Sequence, residues 1–220
     1  MIHRIPMWMV LTAFTGLSIA PNWAAANPFG PDYVEIQPQA GIVLDIRYAT
    51  VHNFTGQNVY QGRNTCFLHR LAADKLLKAA EILQKNHPGT RLLIFDCLRP
   101  RSVQRLFWGL VKGTPQQKYV GNPDVGSIHN FGFAVDLSLL GPDGRELDMG
   151  TPYDAFTDAA QPRLEPKMAA RGLLTRDQLD RRLMLRRVMA EAGFIQLPHE
   201  WWHYDGLPGK TVRKNYPIVE

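Results

Sequence analysis

The stretch "GFAVDLSLL", residues 132 to 140, sets the strongest condition on how this chain can fold. It reads as a strand, with "GPDG" as the turn behind it. Strand alternation puts Phe133, Val135, Leu137 and Leu139 on one face and Ala134, Asp136 and Ser138 on the other. A carboxylate in so apolar a strand is costly unless it is paired, hydrogen-bonded or bound to a cation. Any fold of this chain must therefore bring Asp136 a partner.

The seven histidines, at 3, 52, 69, 87, 129, 199 and 203, are the first place to look. His3 lies in a leader, His52 in a polar loop, His69 at a helix start and His87 in a helix-stop turn, so these read as solvated or irrelevant. His129 precedes Asp136 by seven residues, just before an Asn-Phe-Gly turn. A reversal through Gly132 would place its imidazole beside the carboxylate.

The stretch "LPHEWWHYDG" at 197 to 206 offers two more histidines, spelled H-E-x-x-H. That motif binds a metal only on a helix, where residues four apart share a face. Here Pro198 precedes it, Gly206 and Pro208 follow it, and the run of Trp, Trp and Tyr favours a strand. On a strand His199 and His203 would lie roughly 13 Å apart, too far for one ion. At most one of them is a ligand, and His203 on the aromatic strand completes a set with His129 and Asp136. Two histidines and a carboxylate, with a fourth position open, form a catalytic rather than a structural zinc set. The alternative is a buried Asp–His pair that holds no metal.

Around these residues the chain alternates helical and extended patterns. Residues 70 to 85 ("RLAADKLLKAAEILQK") form an amphipathic helix stopped by "NHPG". "RLLIFDCL" (91 to 98) is a buried strand ended by Pro100, and "RSVQRLFWGLVKG" (101 to 113) is a helix with Ser102 as its cap. A Thr-x-x-Gln capping box opens a helix over 175 to 193, which Gly193 ends. "FIQL" and "EWWHYD" close the sheet. Helices grouped around antiparallel hairpins suggest an α+β fold rather than repeated βαβ units.

Residues 1 to 26 differ from the rest. Arg4 is their only charge, an apolar run follows it, and "AAA" at 24 to 26 suits cleavage, so they read as a signal peptide. An uncleaved N-terminal anchor is the alternative. Residues 27 to 220 then make one domain, exported to the periplasm or cell envelope, with no stable membrane anchor once the leader is removed. The formal charge of +5 falls by one when Arg4 leaves, and no Lys/Arg tract points to nucleic acid. In an exported chain Cys66 and Cys97 are permitted a disulfide, although their separation in sequence fixes no distance in space.

"SIHNFGFAVD" followed by "EWWHY" resembles the Ser-x-His-x-x-Gly-x-Ala-x-Asp and Glu-x-x-His signatures of the zinc D-Ala-D-Ala dipeptidases, the VanX-like group within the peptidoglycan DD- and LD-carboxypeptidases. "RYATVHNFTGQNVY", "FDCLRP" and "LDMGTPYDAF" resemble that group's other blocks, in the same order. The resemblance covers nearly all the mature chain, but little between Phe107 and Gly126 matches, which leaves substrate length open. It implies a compact α+β domain with a central antiparallel sheet. It also implies one Zn2+ per chain on His129, Asp136 and His203, Glu200 as catalytic base and Arg99 as the transition-state arginine. Ser127, Asp154 and Tyr48 would surround the small substrate, with Asp154 on its free ammonium, whereas His199 is not a family ligand. Because Glu200 and His203 are three apart, both can face a metal only if the chain turns or bulges between them. The expected activity is hydrolysis of D-alanyl-D-alanine. The alternatives are a carboxypeptidase or endopeptidase acting on longer muropeptides, and a non-catalytic secreted wall-binding module. Without the resemblance, Asp154 reads as a loop carboxylate, Tyr48 as a packed aromatic and Arg99 as a surface arginine. Trp201 and Trp202 read as wall and core.

Overall fold

A computed structural model describes residues 28–220, so the leader expected over residues 1 to 26 lies outside the described residues. The elements run β1 (Tyr33–Ile36), β2 (Ile42–Leu44), β3 (Cys66–His69), α1 (Arg70–Asn86), β4 (Arg91–Asp96), α2 (Arg101–Val111) and β5 (Ala134–Leu140). They continue as α3 (Glu165–Ala170), α4 (Arg176–Glu191), β6 (Ile195–Gln196), β7 (His203–Asp205) and α5 (Gly209–Asn215). The architecture is the α+β domain expected from the sequence. Its main sheet has the order β2-β4-β5-β7-β6 and is antiparallel except for the β2–β4 pair, while β1 and β3 form a separate antiparallel ribbon.

β5 lies at the centre because every one of its residues is buried. Its Val and Leu side chains each contribute roughly 1.5–3 kcal/mol by leaving water. α1 packs on α4 and against β4, and α4 also reaches β5. The capping box that opens α4 forms as expected, with Thr175 and Gln178 hydrogen-bonding each other's backbone N–H. The expected cap at Ser102 does not form: Pro100 occupies the cap position of α2 and no side chain caps it. The expected C-terminal strand is also shorter. Only His203–Asp205 pairs as a strand; Pro198 and His199 form a turn and Trp201 and Trp202 a bend ahead of it, with Glu200 between them. Trp201 and Trp202 are indeed core, 1% and 2% exposed. Burying both indoles bends the chain here, which separates Glu200 from the ladder.

One irregularity in the ladder governs the site. β4 and β5 pair Ile94 with Leu137 and then Asp96 with Asp136, so an extra residue, Phe95, is accommodated between those rungs. A bulge of this kind re-aims the side chains beyond it. Here it sets two buried carboxylates opposite each other.

Cys66, the first residue of β3, is disulfide-bonded to Cys97, which follows β4. The bridge ties the ribbon to the strand end that carries Asp96 and Arg99. Closing a loop between residues 31 apart constrains the unfolded chain by about 3–4 kcal/mol. Replacing both cysteines by alanine is expected to cost stability of that order, measured by denaturant titration of the oxidised wild type and the variant. An unchanged midpoint would show that the bridge contributes nothing.

Candidate active site

Three side chains from separate segments converge on one point. A turn of 3-10 helix, Ile128–Phe131, carries His129, and Gly132 at φ +71° reverses the chain into β5. Glycine is required there: a Cβ would lie 2.7 Å from the Tyr33 ring and 3.0 Å from the His69 backbone nitrogen. His203 then faces Asp136 across the β5–β7 ladder. His129 Nε2 lies 3.2 Å from Asp136 Oδ1 and 3.1 Å from His203 Nδ1, and His203 Nδ1 lies 3.0 Å from Asp136 Oδ1. All three residues are buried.

The positions of the ring hydrogens decide what this triangle can hold. His129 Nδ1 is 2.7 Å from the Cys97 carbonyl, which only accepts, so that nitrogen carries the hydrogen. His203 Nε2 is 2.9 Å from Asp205 Oδ1, a carboxylate that also only accepts. In their neutral forms both imidazoles therefore turn a lone pair toward Asp136 and toward each other. A tetrahedral zinc with ligands at about 2.0–2.1 Å needs donors separated by about 3.3 Å, close to the distances found. The residues present fit a divalent cation.

Asp136 is anchored as well: its Oδ2 accepts from the Tyr153 hydroxyl at 2.9 Å, leaving Oδ1 to the histidines. Burial works against a charged Asp136, yet the two histidines hold its carboxyl well below the usual range. Burial would likewise depress His203, and hydrogen bonds donated by its ring to Asp136 and Asp205 raise it well above the usual imidazole range, so a metal bound here would displace a proton.

Arg99 is a buried residue rather than a surface one. Its Nε and Nη2 donate to Asp96 Oδ2 at 3.0 and 2.7 Å, and Nη1 donates to Gln104 Oε1 at 2.9 Å. The guanidinium stacks over Phe107 and Tyr48, and its Nη2 lies 3.8 Å from Asp136. Asp96 in turn accepts from Tyr60 and from the Cys97 N–H. Breaking so buried a pair costs about 3–5 kcal/mol. Arg99 is thus held rigidly, with two of its five N–H groups uncommitted.

Glu200 stands beside the cluster, its Oε2 3.9 Å from His203 Nδ1. Burial pushes its carboxyl up to about 7, with Asp136 adding to the rise and His203 opposing it. His199 sits in the turn before it and does not join the metal-type cluster, as expected once a helix is excluded. His69 is not simply solvated: its ring stacks on Phe133 and accepts from the Leu71 N–H, which caps α1.

Tyr48 and Asp154 are one unit. The Tyr48 hydroxyl donates to the Asp154 carboxylate at 3.1 Å and the Phe54 N–H donates to it at 3.1 Å. Asp154 adopts φ +58°, a conformation uncommon outside glycine and concentrated at functional sites. Burial raises its carboxyl to about 8, despite the Phe54 N–H, which favours the ion. These residues line a cavity of about 350 Å³ together with Ser127, Arg99, Glu200, His129, Asp136 and His203. Lys118, Tyr119 and Val120 also line it, so the segment with little resemblance contributes to the cavity wall.

Sequence reasoning missed Asp96, Gln104, Tyr153 and Asp205. Asp96 was open to the argument applied to Asp136, since it too is a carboxylate in an apolar strand. The other three act through contacts that no local pattern encodes.

The profile of the D-ala-D-ala dipeptidase family, peptidase M15, matches residues 32–220. The chain is 34% identical to a D-alanyl-D-alanine dipeptidase of Escherichia coli (strain K12), over 80% of this chain and 82% of that one. It is 31% identical to a D-alanyl-D-alanine dipeptidase of Enterococcus faecium, over 74% and 85% of the two chains. A third similar protein, 29% identical over 66% and 71%, is a D-alanyl-D-alanine dipeptidase of Synechocystis sp. (strain ATCC 27184 / PCC 6803 / Kazusa).

The Asp154 environment makes stability depend on pH. A carboxyl whose folded-state pKa is about 8, against an ordinary 3.8, keeps its proton in the fold after the unfolded chain has lost it. The metal-free wild type therefore loses stability as pH rises between those values, and Asp154→Asn removes that contribution. Thermal unfolding of chelator-treated proteins should show the variant gaining on wild type from pH 5 to pH 8. A pH-independent difference would contradict this environment.

Proposed function

The chain belongs to the D-Ala-D-Ala dipeptidase family of M15 peptidases, and from that premise we propose that it hydrolyses D-alanyl-D-alanine with one zinc ion held by His129, Asp136 and His203. The observation that carries this reading is the convergence of three potential ligand atoms, 3.0–3.2 Å apart, at a cavity that also holds Glu200 and Arg99. Zinc bound there supplies Lewis acidity to the scissile carbonyl and makes an adjacent water more acidic.

The chain's own residues divide the remaining work. Glu200, poised near neutrality, takes the proton of the attacking water and returns it to the departing amine. Arg99 meets the developing oxyanion with the N–H groups that Asp96 and Gln104 leave free, and its rigidity means little reorganisation during reaction. Asp154, presented by Tyr48 and Phe54, receives the free ammonium of the dipeptide, and the incoming cation favours its ionised form. Ser127 lines the cavity beside the loop that carries His129. A base beside the ligand cluster favours an enzyme over a binding module, which has no use for one. The disulfide supports a setting in the periplasm or cell envelope, where oxidised cysteines persist.

Glu200→Gln is expected to retain zinc and lose ~10²–10⁴-fold in kcat. Arg99→Ala is expected to lose on the order of 10²–10³-fold, as for removal of an oxyanion donor. Near-native turnover of either variant on D-Ala-D-Ala would refute the role assigned to it.

Substrate length follows from Asp154. A charge-assisted hydrogen bond to ammonium is worth about 1.5–3 kcal/mol, and each ~1.4 kcal/mol is a decade. N-acetyl-D-Ala-D-Ala, lacking that charge, should have a kcat/KM at least ~10-fold lower than D-Ala-D-Ala. Equal values would overturn the dipeptidase reading in favour of a carboxypeptidase acting on longer muropeptides.

A further inference from the structure

The two histidines of the cluster are anchored differently. His129 presents Nε2 and gives its Nδ1 hydrogen to a neutral group, the Cys97 carbonyl, at 2.7 Å. His203 presents Nδ1 and gives its Nε2 hydrogen to a charged one, Asp205, at 2.9 Å. The second contact is built into β7. His203 and Asp205 are two apart on a strand, so both side chains stand on the same face. Asp205 sits opposite Ala134 in the ladder, just as His203 sits opposite Asp136, and the small alanine side chain leaves the carboxylate room beside the imidazole.

Asp205 has no Arg or Lys partner among the described ion pairs; its one such contact is His203. It is mostly buried, with 15% of its side chain exposed, and it lines the cavity. A buried carboxylate is tolerated only where something receives its charge. Here that receiver is the imidazole N–H, and through it whatever the opposite nitrogen holds.

We propose that Asp205 is a positioning residue for the metal centre, fixing His203 in the Nε2–H tautomer and strengthening Nδ1 as a zinc donor. A carboxylate behind a histidine ligand orients the ring and increases its basicity, and losing such a partner commonly weakens metal binding 10–100-fold. The Nδ1 of His129 instead hydrogen-bonds the Cys97 carbonyl, with the Asp96 carboxylate 3.8 Å away, so only His203 has a carboxylate as its direct hydrogen-bond partner. The inference rests on the zinc-site reading above.

Zinc titration against a chromophoric chelator separates the two claims. Stoichiometric binding by the wild type tests the site itself, and its absence would overturn both. Given binding, Asp205→Ala should raise the zinc dissociation constant ~10–100-fold. Asp205→Asn, which keeps an acceptor but loses the charge, should fall between Ala and wild type. The thermal midpoints of the metal-free proteins supply the control, since a merely structural role would move those midpoints and leave zinc affinity alone. Zinc affinity of Asp205→Ala within twofold of wild type would overturn the assignment.

Discussion

Two buried carboxylates face each other across one rung of the central sheet, and the site is arranged around that repulsion. The bulge at Phe95 puts Asp96 opposite Asp136, with 0% and 3% exposure. Like charges so placed are destabilising unless each is compensated. Arg99 serves Asp96 with a two-pronged contact and leans toward Asp136 at 3.8 Å. Asp136 turns its other oxygen to two histidines. Arg99 and the His129–Asp136–His203 cluster are thus two answers to one electrostatic problem, and they lie side by side for that reason.

The scaffold brings distant segments to this rung and leaves them little freedom. The Cys66–Cys97 bridge holds the strand end from which the Cys97 carbonyl orients His129. Gly132 makes the reversal that returns His129 over β5, and the β5–β7 ladder fixes His203 opposite Asp136. Arg182, almost fully buried, hydrogen-bonds the Met149 and Ala159 carbonyls and stacks near Trp201, tying α4 to the loops on either side of Asp154. Each of His129, Asp136 and His203 has its outer polar atom occupied by a different part of the chain. This is the support that holds reactive groups within the tolerance that catalysis needs.

Much of this was legible from the sequence because it follows from local cost. A carboxylate amid Phe, Val and Leu announces that Asp136 needs a partner, and prolines flanking the aromatic run exclude a helical H-E-x-x-H. The seven-residue offset with an intervening glycine placed His129 correctly. Three features were not legible for an equally physical reason. The bulge at Phe95 depends on pairing register, which no single strand encodes. The bend at Trp201 and Trp202 depends on burying both indoles, which overrides the strand preference of those residues. The buried state of Arg99 and Asp154 depends on partners 36 to 106 residues away in other contacts of the same network, such as Tyr60 with Asp96 and Tyr48 with Asp154.

If His129, Asp136 and His203 hold zinc as proposed, the zinc-edge X-ray absorption spectrum of the loaded protein will report one zinc per chain with a nitrogen and oxygen shell at about 2.0–2.1 Å, two of the ligands being imidazoles, and no sulfur. A third imidazole would bring His199 back as a ligand. A sulfur shell at about 2.3 Å would place the ion on the cysteines instead. Either spectrum would contradict the site described for His129, Asp136 and His203.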